Sequence, residues 1–143
     1  MKIKKAIVTG GAGFIGSNLV DKLIEDGVEV HVIDDLSTGK EENINPKAIF
    51  HKIDISTLAT KISNPFFQKL YQFKNTDIIF HCAALARVQP SIEDPVPFDN
   101  VNVSGTLRML MLAHRLGVKR FVYSASSSCY GNNKTFPTPE TES

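Results

Sequence analysis

The sequence predicts an α/β fold, a doubly wound parallel sheet of five strands in the order 3-2-1-4-5 with helices on both faces. Two observations predict it. Five short apolar runs rich in Ile and Val, at 3–8, 28–33, 48–53, 77–82 and 119–124, read as strands buried on both faces, as parallel strands are. The segments between them carry helical spacing or turn chemistry, giving β-α-β-α-β-α-β-α-β with right-handed crossovers. The first strand is then central, and a ligand is expected at the carboxyl ends, where the strand order reverses.

Ile3 to Val8 form the first strand and lead into V-T-G-G-A-G-F-I-G, Val8 to Gly16. Ile15, Leu19 and Leu23 follow at helical spacing, and Gly27 is a suitable residue to end that helix. Val28 to Ile33 make the second strand, which ends on acidic Asp34. A glycine triplet alone is weak, but strand, glycine loop, helix, strand and terminal carboxylate together form the Rossmann dinucleotide-binding unit. Gly10 allows the tight turn, Gly13 lets backbone amides approach the pyrophosphate, and Gly16 lets the helix pack on the sheet. The helix N-terminus offers unsatisfied N–H groups and a favourable dipole to the anion. Asp34 is placed to accept hydrogen bonds from the adenosine ribose, which favours NAD over NADP; the plainer alternative is a solvated carboxylate capping a turn. Asp35, Ser37 and Thr38 either serve the same ribose or form the turn.

Leu36 to Pro46 are polar, with room for a turn and a short helix. Asp54-Ile55 follows the third strand, where a carboxylate can meet the adenine amino group. Pro65 to Tyr71 are expected to form a short helix opened by Asn64-Pro65. The fourth strand closes in His81-Cys82-Ala83-Ala84, small residues that let a dinucleotide lie against backbone. Prolines at 90, 95 and 97 are expected to break the next region, before a helix from Asp99 to Leu116 closed by Gly117. Its core face is expected at Leu107, Leu110, Met111 and Leu116. The fifth strand closes in S-A-S-S-S-C-Y, Ser124 to Tyr130. Those hydroxyls are an ordinary polar strand end or, at the ligand edge, partners for a hydroxylated substrate. Asn132 to Ser143, with Pro137 and Pro139, read as loop, so the chain is expected to stop in a connection.

The 143 residues make about one domain, 42% hydrophobic and 22% charged, as in an ordinary globular protein. A net charge of +1 leaves no footprint for nucleic acid or an anionic membrane. No apolar run approaches the ~20 residues that span a bilayer. Met1-Lys2-Ile3-Lys4-Lys5 leads straight into a strand and lacks the apolar core of a signal peptide. Cys82 and Cys129 offer no disulfide framework, so a reduced, cytoplasmic chain with packed thiols is expected. His31, His51, His81 and His114 are scattered, and no metal site is expected.

T-G-G-A-G-F-I-G, D-D-L-S-T-G, H-C-A-A-L-A-R-V-Q-P-S-I-E-D-P, N-V-S-G-T-L and S-A-S-S-S-C-Y-G resemble the extended short-chain dehydrogenase/reductase family. Within it they look most like the UDP-hexose 4-epimerases, including those acting on UDP-N-acetylhexosamines. The similarity runs from Lys5 to Glu140. It implies that Phe14, Ile15, Asp34, Asp35, Leu36, Ser37, Thr38, Gly39, Asp54, Ile55, Ala83, Ala84, Ala86, Asn102 and Ser124 line NAD. It places Ser126 on the family's catalytic serine, and Ser127 and Ser128 among substrate contacts. The chemistry it implies is a transient oxidation. A tyrosine beside a lysine takes the proton of the sugar 4-hydroxyl while hydride moves to NAD, and the 4-keto sugar turns over before hydride returns. The resemblance also implies a homodimer through two helices per subunit, one of them Asp99–Leu116.

Two departures matter. The family's catalytic pair is a Tyr-x-x-x-Lys on a helix, and the match at Tyr130-Gly131-Asn132-Asn133-Lys134 is a decoy, since Gly-Asn-Asn is poor helix material. The working pair, the remaining strands and the sugar-binding region are expected after Ser143. Residues 1–143 are thus expected to be the N-terminal portion of the NAD-binding domain, inactive alone. Second, Arg87 stands where N-acetylhexosamine epimerases tend to have a small polar residue. It is either solvated or a contact to phosphate or an acidic sugar. Dehydratases and decarboxylases of the family usually place an acid between the serines and the Tyr-Gly pair; Ser127-Ser128-Cys129 has none, which favours an epimerase. A non-catalytic NAD-binding module is the alternative if the chain naturally ends at Ser143.

Overall fold

The computed structural model describes residues 2–58, 70–132 and 135–141. Strands β1 (Lys5–Thr9), β2 (Glu29–Asp34), β3 (Ile49–Lys52), β4 (Ile78–His81) and β5 (Arg120–Tyr123) form one sheet in the order β3-β2-β1-β4-β5. Every pairing is parallel, and β1 is central between β2 and β4. The strand order is the one the alternating pattern predicts.

Alternate residues of β1 and β2 feed two cores, which explains their continuous apolar runs. Ile7, Ile33 and Ile79 face one way, onto Phe73, Met109 and Leu112. Ala6, Val8, Val30, Val32 and Ile78 face the other way, onto Val20 and Leu23 of α1 (Phe14–Glu25). Each buried Val, Leu or Ile contributes about 1.5–3 kcal/mol, so β1 is pinned from both sides. Helix α1 ends as expected at Gly27, whose φ of +77 suits glycine. The Val28 N–H then donates to the Leu23 carbonyl at 3.0 Å.

The proline-rich region departs from expectation. Helices α2 (Val88–Glu93) and α3 (Pro95–Phe98) contain all three prolines. Each proline lies within the first turn of its helix, where no N–H is needed for the helical ladder, so they start helices instead of breaking them. From α3 the helical backbone continues through a π-helical stretch (Asp99–Gly105) into α4 (Thr106–Leu116), ending at Gly117 with φ +66.

The core face of that helix is a second correction. Leu107 is 57% exposed and Leu110 is 45% exposed, whereas Met109, Leu112 and Ala113 are buried. Leu116 packs on the core edge as expected, and Met111 is half-buried. The helix carries two apolar stripes, and close contact at Gly105 chose between them. Gly105 is buried beside Ile55, where a Cβ would lie 2.9 Å from Ile55 Cδ1, and the buried stripe of Met109 and Leu112 continues from it at helical spacing.

Residues 41–43 form a 3-10 turn inside the polar connection, and 70–73 form another. The expected helix at Pro65–Tyr71 lies, up to residue 69, outside the described residues. Both cysteines are free; Cys82 is half-buried, but Cys129 is exposed, contrary to the packed thiol expected, because the β5-end segment lies on the surface. Among the described residues no helix is long and apolar enough to cross a membrane.

Candidate functional site

The carboxyl ends of β1, β2 and β4 open onto a cleft of about 330 Å³. Its walls are the glycine loop, the turn after Asp34, the Asp54–Ile55 corner and the Cys82–Leu85 segment. The location is the switch point the strand order predicts.

β1 ends at Thr9, and the chain reverses at Gly10 with φ +69. The Gly10 N–H donates to the Ile33 carbonyl at 2.9 Å, fixing the loop to β2. A Cβ at Gly10 would lie 2.8 Å from the Ala83 nitrogen, so the two cleft walls approach too closely for any side chain. Gly13 precedes α1, donates its N–H to the Gly10 carbonyl at 3.1 Å and supplies no side-chain cap. The first turn of α1, Phe14 to Gly16, lines the cleft with its N–H groups uncapped by any side chain. A Cβ at Gly16 would collide with the Gly10 carbonyl. The start of α1 thus lies against the backbone that leaves β1, an approach only glycine permits at position 16. Phe14 is 84% exposed and Ile15 is 66% exposed, an unusual display of apolar surface beside a cleft.

Asp34 is only 8% exposed, and both carboxylate oxygens take backbone N–H groups. Oδ2 accepts from Ala12 at 3.0 Å and Oδ1 accepts from Leu36 at 2.8 Å. The carboxylate closes the turn while lining the cleft, but it is buried, which corrects the solvated cap given as its alternative. Leu36 adopts φ +64, a left-handed conformation costly for a residue with a Cβ. Asp35 Oδ1 accepts the Ser37 N–H at 2.9 Å and its hydroxyl at 2.6 Å, so Asp35 shapes the turn. Ser37, Thr38 and Gly39 line the cleft, and Gly39 has no room for a Cβ beside Ala12. Asp54 faces the cleft while Oδ1 accepts the Ser56 N–H at 2.8 Å; Ile55 is both wall and core.

The segment after β4 is held from beneath. The Ala83 N–H donates to Thr9 Oγ1 at 3.2 Å. Asn102 takes the Leu85 N–H at 2.8 Å and donates its amide to the Leu85 carbonyl at 2.9 Å. Ala83 and Ala84 line the cleft; Asn102 lies behind it, its amide spent on Leu85. Leu36, Ala86 and Arg87 are not among the cleft walls, and Arg87, with φ +126, is exposed at the start of α2. Below the floor, His81 is fully buried, and that burial pushes its pKa down to about 4.

The serines stand apart from the cleft walls. The Ser124 N–H donates to the His81 carbonyl at 3.1 Å, and its hydroxyl lies 3.5 Å from Cys82 Sγ. Ser126 Oγ accepts the Ser128 N–H at 3.1 Å, capping the turn Ser127–Tyr130. Ser124, Ser126, Ser127 and Ser128 are exposed beside the β4 end. Lys134 of the decoy motif lies outside the described residues. Cys82 lines the cleft with Ala83 and Ala84, whereas Ile33, Ile53, Leu85 and Val101 are walls that the sequence did not mark, because apolar walls carry no local signal that separates them from core.

A family model described as the NAD dependent epimerase/dehydratase family matches residues 6–143. The UDP-glucose 4-epimerase of Mycolicibacterium smegmatis is 41% identical over 138 residues, covering 95% of this chain and 43% of that protein. The UDP-glucuronic acid decarboxylase 1 of Arabidopsis thaliana is 39% identical over 143 residues, covering 96% of this chain and 29% of that protein. A crystal structure of the UDP-glucose 4-epimerase of Thermotoga maritima with UDP-glucose superposes with a TM-score of 0.84 at 41% identity, covering 96% of this chain and 43% of that one. The chain thus spans less than half the length of these relatives.

Proposed function

The chain belongs to the NAD-dependent epimerase/dehydratase family, and from that premise we propose that it is the NAD-binding part of a nucleotide-sugar 4-epimerase. The parent protein inverts C4 of a UDP-hexose or UDP-N-acetylhexosamine through a 4-keto intermediate. One observation carries the reading: an uncapped helix start, glycines that no Cβ could replace, and a backbone-anchored carboxylate meet in one cleft.

These residues fit NAD. The first turn of α1, Phe14 to Gly16, holds the pyrophosphate with backbone N–H groups that no side chain caps, and Gly10 and Gly13, which have no side chain, let it approach. Asp34 takes the adenosine ribose with its remaining lone pairs, and Ser37, Thr38 and Gly39 flank it. Asp54 meets the adenine amino group, while Ala83 and Ala84 leave room for the dinucleotide against backbone. Bound NAD supplies the acceptor and then the donor of hydride at C4. Ser126 hydrogen-bonds the reacting 4-oxygen, and Ser124, Ser127, Ser128 and Arg87 lie on the substrate side. Asp35 and Leu36 shape the turn beside the ribose, Asn102 holds Leu85 from behind the cleft, and Ala86 follows that wall. Because the matched epimerases are longer, the tyrosine–lysine pair and sugar-binding region are proposed for the rest of a longer, cytoplasmic protein, with residues 1–143 inactive alone. The exposed stripe Val103, Leu107 and Leu110 is proposed to meet a second copy in a homodimer.

The test is product analysis by NMR with the intact protein, NAD and, in turn, UDP-glucose, UDP-N-acetylglucosamine and UDP-glucuronate. The C4 epimer with no net consumption of NAD supports the reading. A 6-deoxy-4-keto sugar would move the protein to the dehydratases, and carbon dioxide from UDP-glucuronate to the decarboxylases.

A further inference from the structure

Three polar side chains meet in the apolar interior beneath the cleft. Thr9 ends β1, His81 ends β4, and Thr106 begins α4. His81 Nδ1 lies 2.8 Å from Thr9 Oγ1, and Nε2 lies 2.9 Å from Thr106 Oγ1. The neighbours assign every proton. Thr106 has a single hydroxyl proton, and it goes to the Asn102 carbonyl at 2.7 Å. Nε2 of His81 must therefore donate to Thr106. Nδ1 is then a lone pair, to which the Thr9 hydroxyl donates while accepting the Ala83 N–H at 3.2 Å. Asn102 in turn clamps both backbone groups of Leu85. The two ends of the Ala83–Leu85 wall thus hang on a single imidazole, Ala83 through Thr9 and Leu85 through Thr106 and then Asn102.

We infer that His81, as the neutral Nε2–H tautomer, is a positioning residue for the dinucleotide, setting the Ala83–Leu85 wall against the glycine loop through Thr9 and through Thr106–Asn102. The inference rests on the proposed occupancy of the cleft by NAD. The wall has little freedom, since a Cβ on Gly10 would already sit within hard contact of Ala83. A small shift there changes the width of the cleft where backbone and ligand must meet. Burial keeps the ring uncharged; it stacks on Tyr123, and Phe121 is tilted against it, both with ring centroids 5.6 Å away. A histidine serving only to fill space needs no ordered donors and acceptors; here every polar atom of the ring and both hydroxyls has a directed partner.

The experiment compares Thr9→Val and Thr106→Val with Thr9→Ser and Thr106→Ser in the intact protein. NAD affinity is read by calorimetry, and amide exchange at Ala83 and Leu85 by NMR without NAD. Each valine removes both hydrogen bonds of its hydroxyl, and each variant is expected to bind NAD about tenfold more weakly. Exchange at the wall should quicken in the valine variants, and each serine should restore both readouts. In the wild type, nitrogen NMR should place the His81 proton on Nε2 at neutral pH. A proton on Nδ1, a charged ring, or folded valine variants with unchanged NAD affinity and wall exchange would each overturn the inference. Wild-type protein that binds no NAD, with the tautomer and wall protection as described, would instead overturn the cofactor reading.

Discussion

Oδ2 of Asp34 accepts the backbone N–H of Ala12 at 3.0 Å, so the carboxylate that ends β2 is bonded into the glycine loop. The same Ala12 carbonyl receives the Lys40 N–H at 3.1 Å and the Asn43 side-chain amide at 2.9 Å. Loop, strand end and following turn are therefore one hydrogen-bonded unit. Replacing Asp34 by Ala leaves the Ala12 and Leu36 N–H groups without their acceptor. The variant is expected to lose about 1–3 kcal/mol of stability and at least about tenfold in NAD affinity. Urea denaturation and calorimetry measure the two effects; unchanged NAD affinity in a folded variant removes Asp34 from the binding set.

Glycine substitutions should separate contact from conformation. Gly16→Ala forces a methyl group into the Gly10 carbonyl and should displace α1 from the loop, destabilising by about 1–3 kcal/mol and abolishing NAD binding. Gly27→Ala meets nothing within 4 Å but keeps φ +77, so it should cost only about 1–2 kcal/mol and leave NAD affinity intact. Equal losses of binding in both variants would contradict this division.

Acid should weaken the fold through buried neutral histidines. Burial pushes the pKa of His81 and of His51 down to about 4, and burial also lowers that of His31. His31 Nδ1 is 2.9 Å from His51 Nε2, and its Nε2 is 2.9 Å from Glu29 Oε1. A folded pKa below the ordinary value near 6.5 means that the unfolded chain binds more protons. Stability is fully present above pH 6.5 and is lost as pH falls through about 4, by on the order of 3 kcal/mol for His81. Urea midpoints at a series of pH values should fall across this window, and His81→Gln should flatten the fall. An equal slope in that variant would sink the assignment.

Leu107 is exposed on α4, opposite the buried face of Met109 and Leu112. Leu107→Glu is expected to leave folded stability within about 0.5 kcal/mol, as surface changes do. If a second copy covers this stripe, the same substitution converts dimer to monomer in sedimentation. A dimer that survives the added charge places the interface elsewhere.

The strand pattern, the glycine loop and Asp34 were legible because their signals are local. Hydrophobic runs report strands buried on both faces, and glycine at Gly10 and Gly27 reports a backbone that other residues resist. The prolines misled for a local reason as well: Pro90, Pro95 and Pro97 are breakers in a helix interior but fit the first turn, and spacing alone did not place the helix starts. On α4, two apolar stripes overlap, and nothing in Leu107 itself distinguishes it from Leu112.

By itself, then, the sequence determined the strands and the glycine loop, which follow from periodicity and backbone preference over short stretches, and their alternation with helices determined the strand order. Only the tertiary structure decided which stripe of α4 is core, that Asn102 clamps Leu85, and that His81 bridges Thr9 to Thr106. Thr9 and His81 are 72 residues apart in the chain. A hydrogen bond needs a donor and an acceptor within about 3 Å and correctly aimed, and only the packed sheet brings such distant groups to that distance.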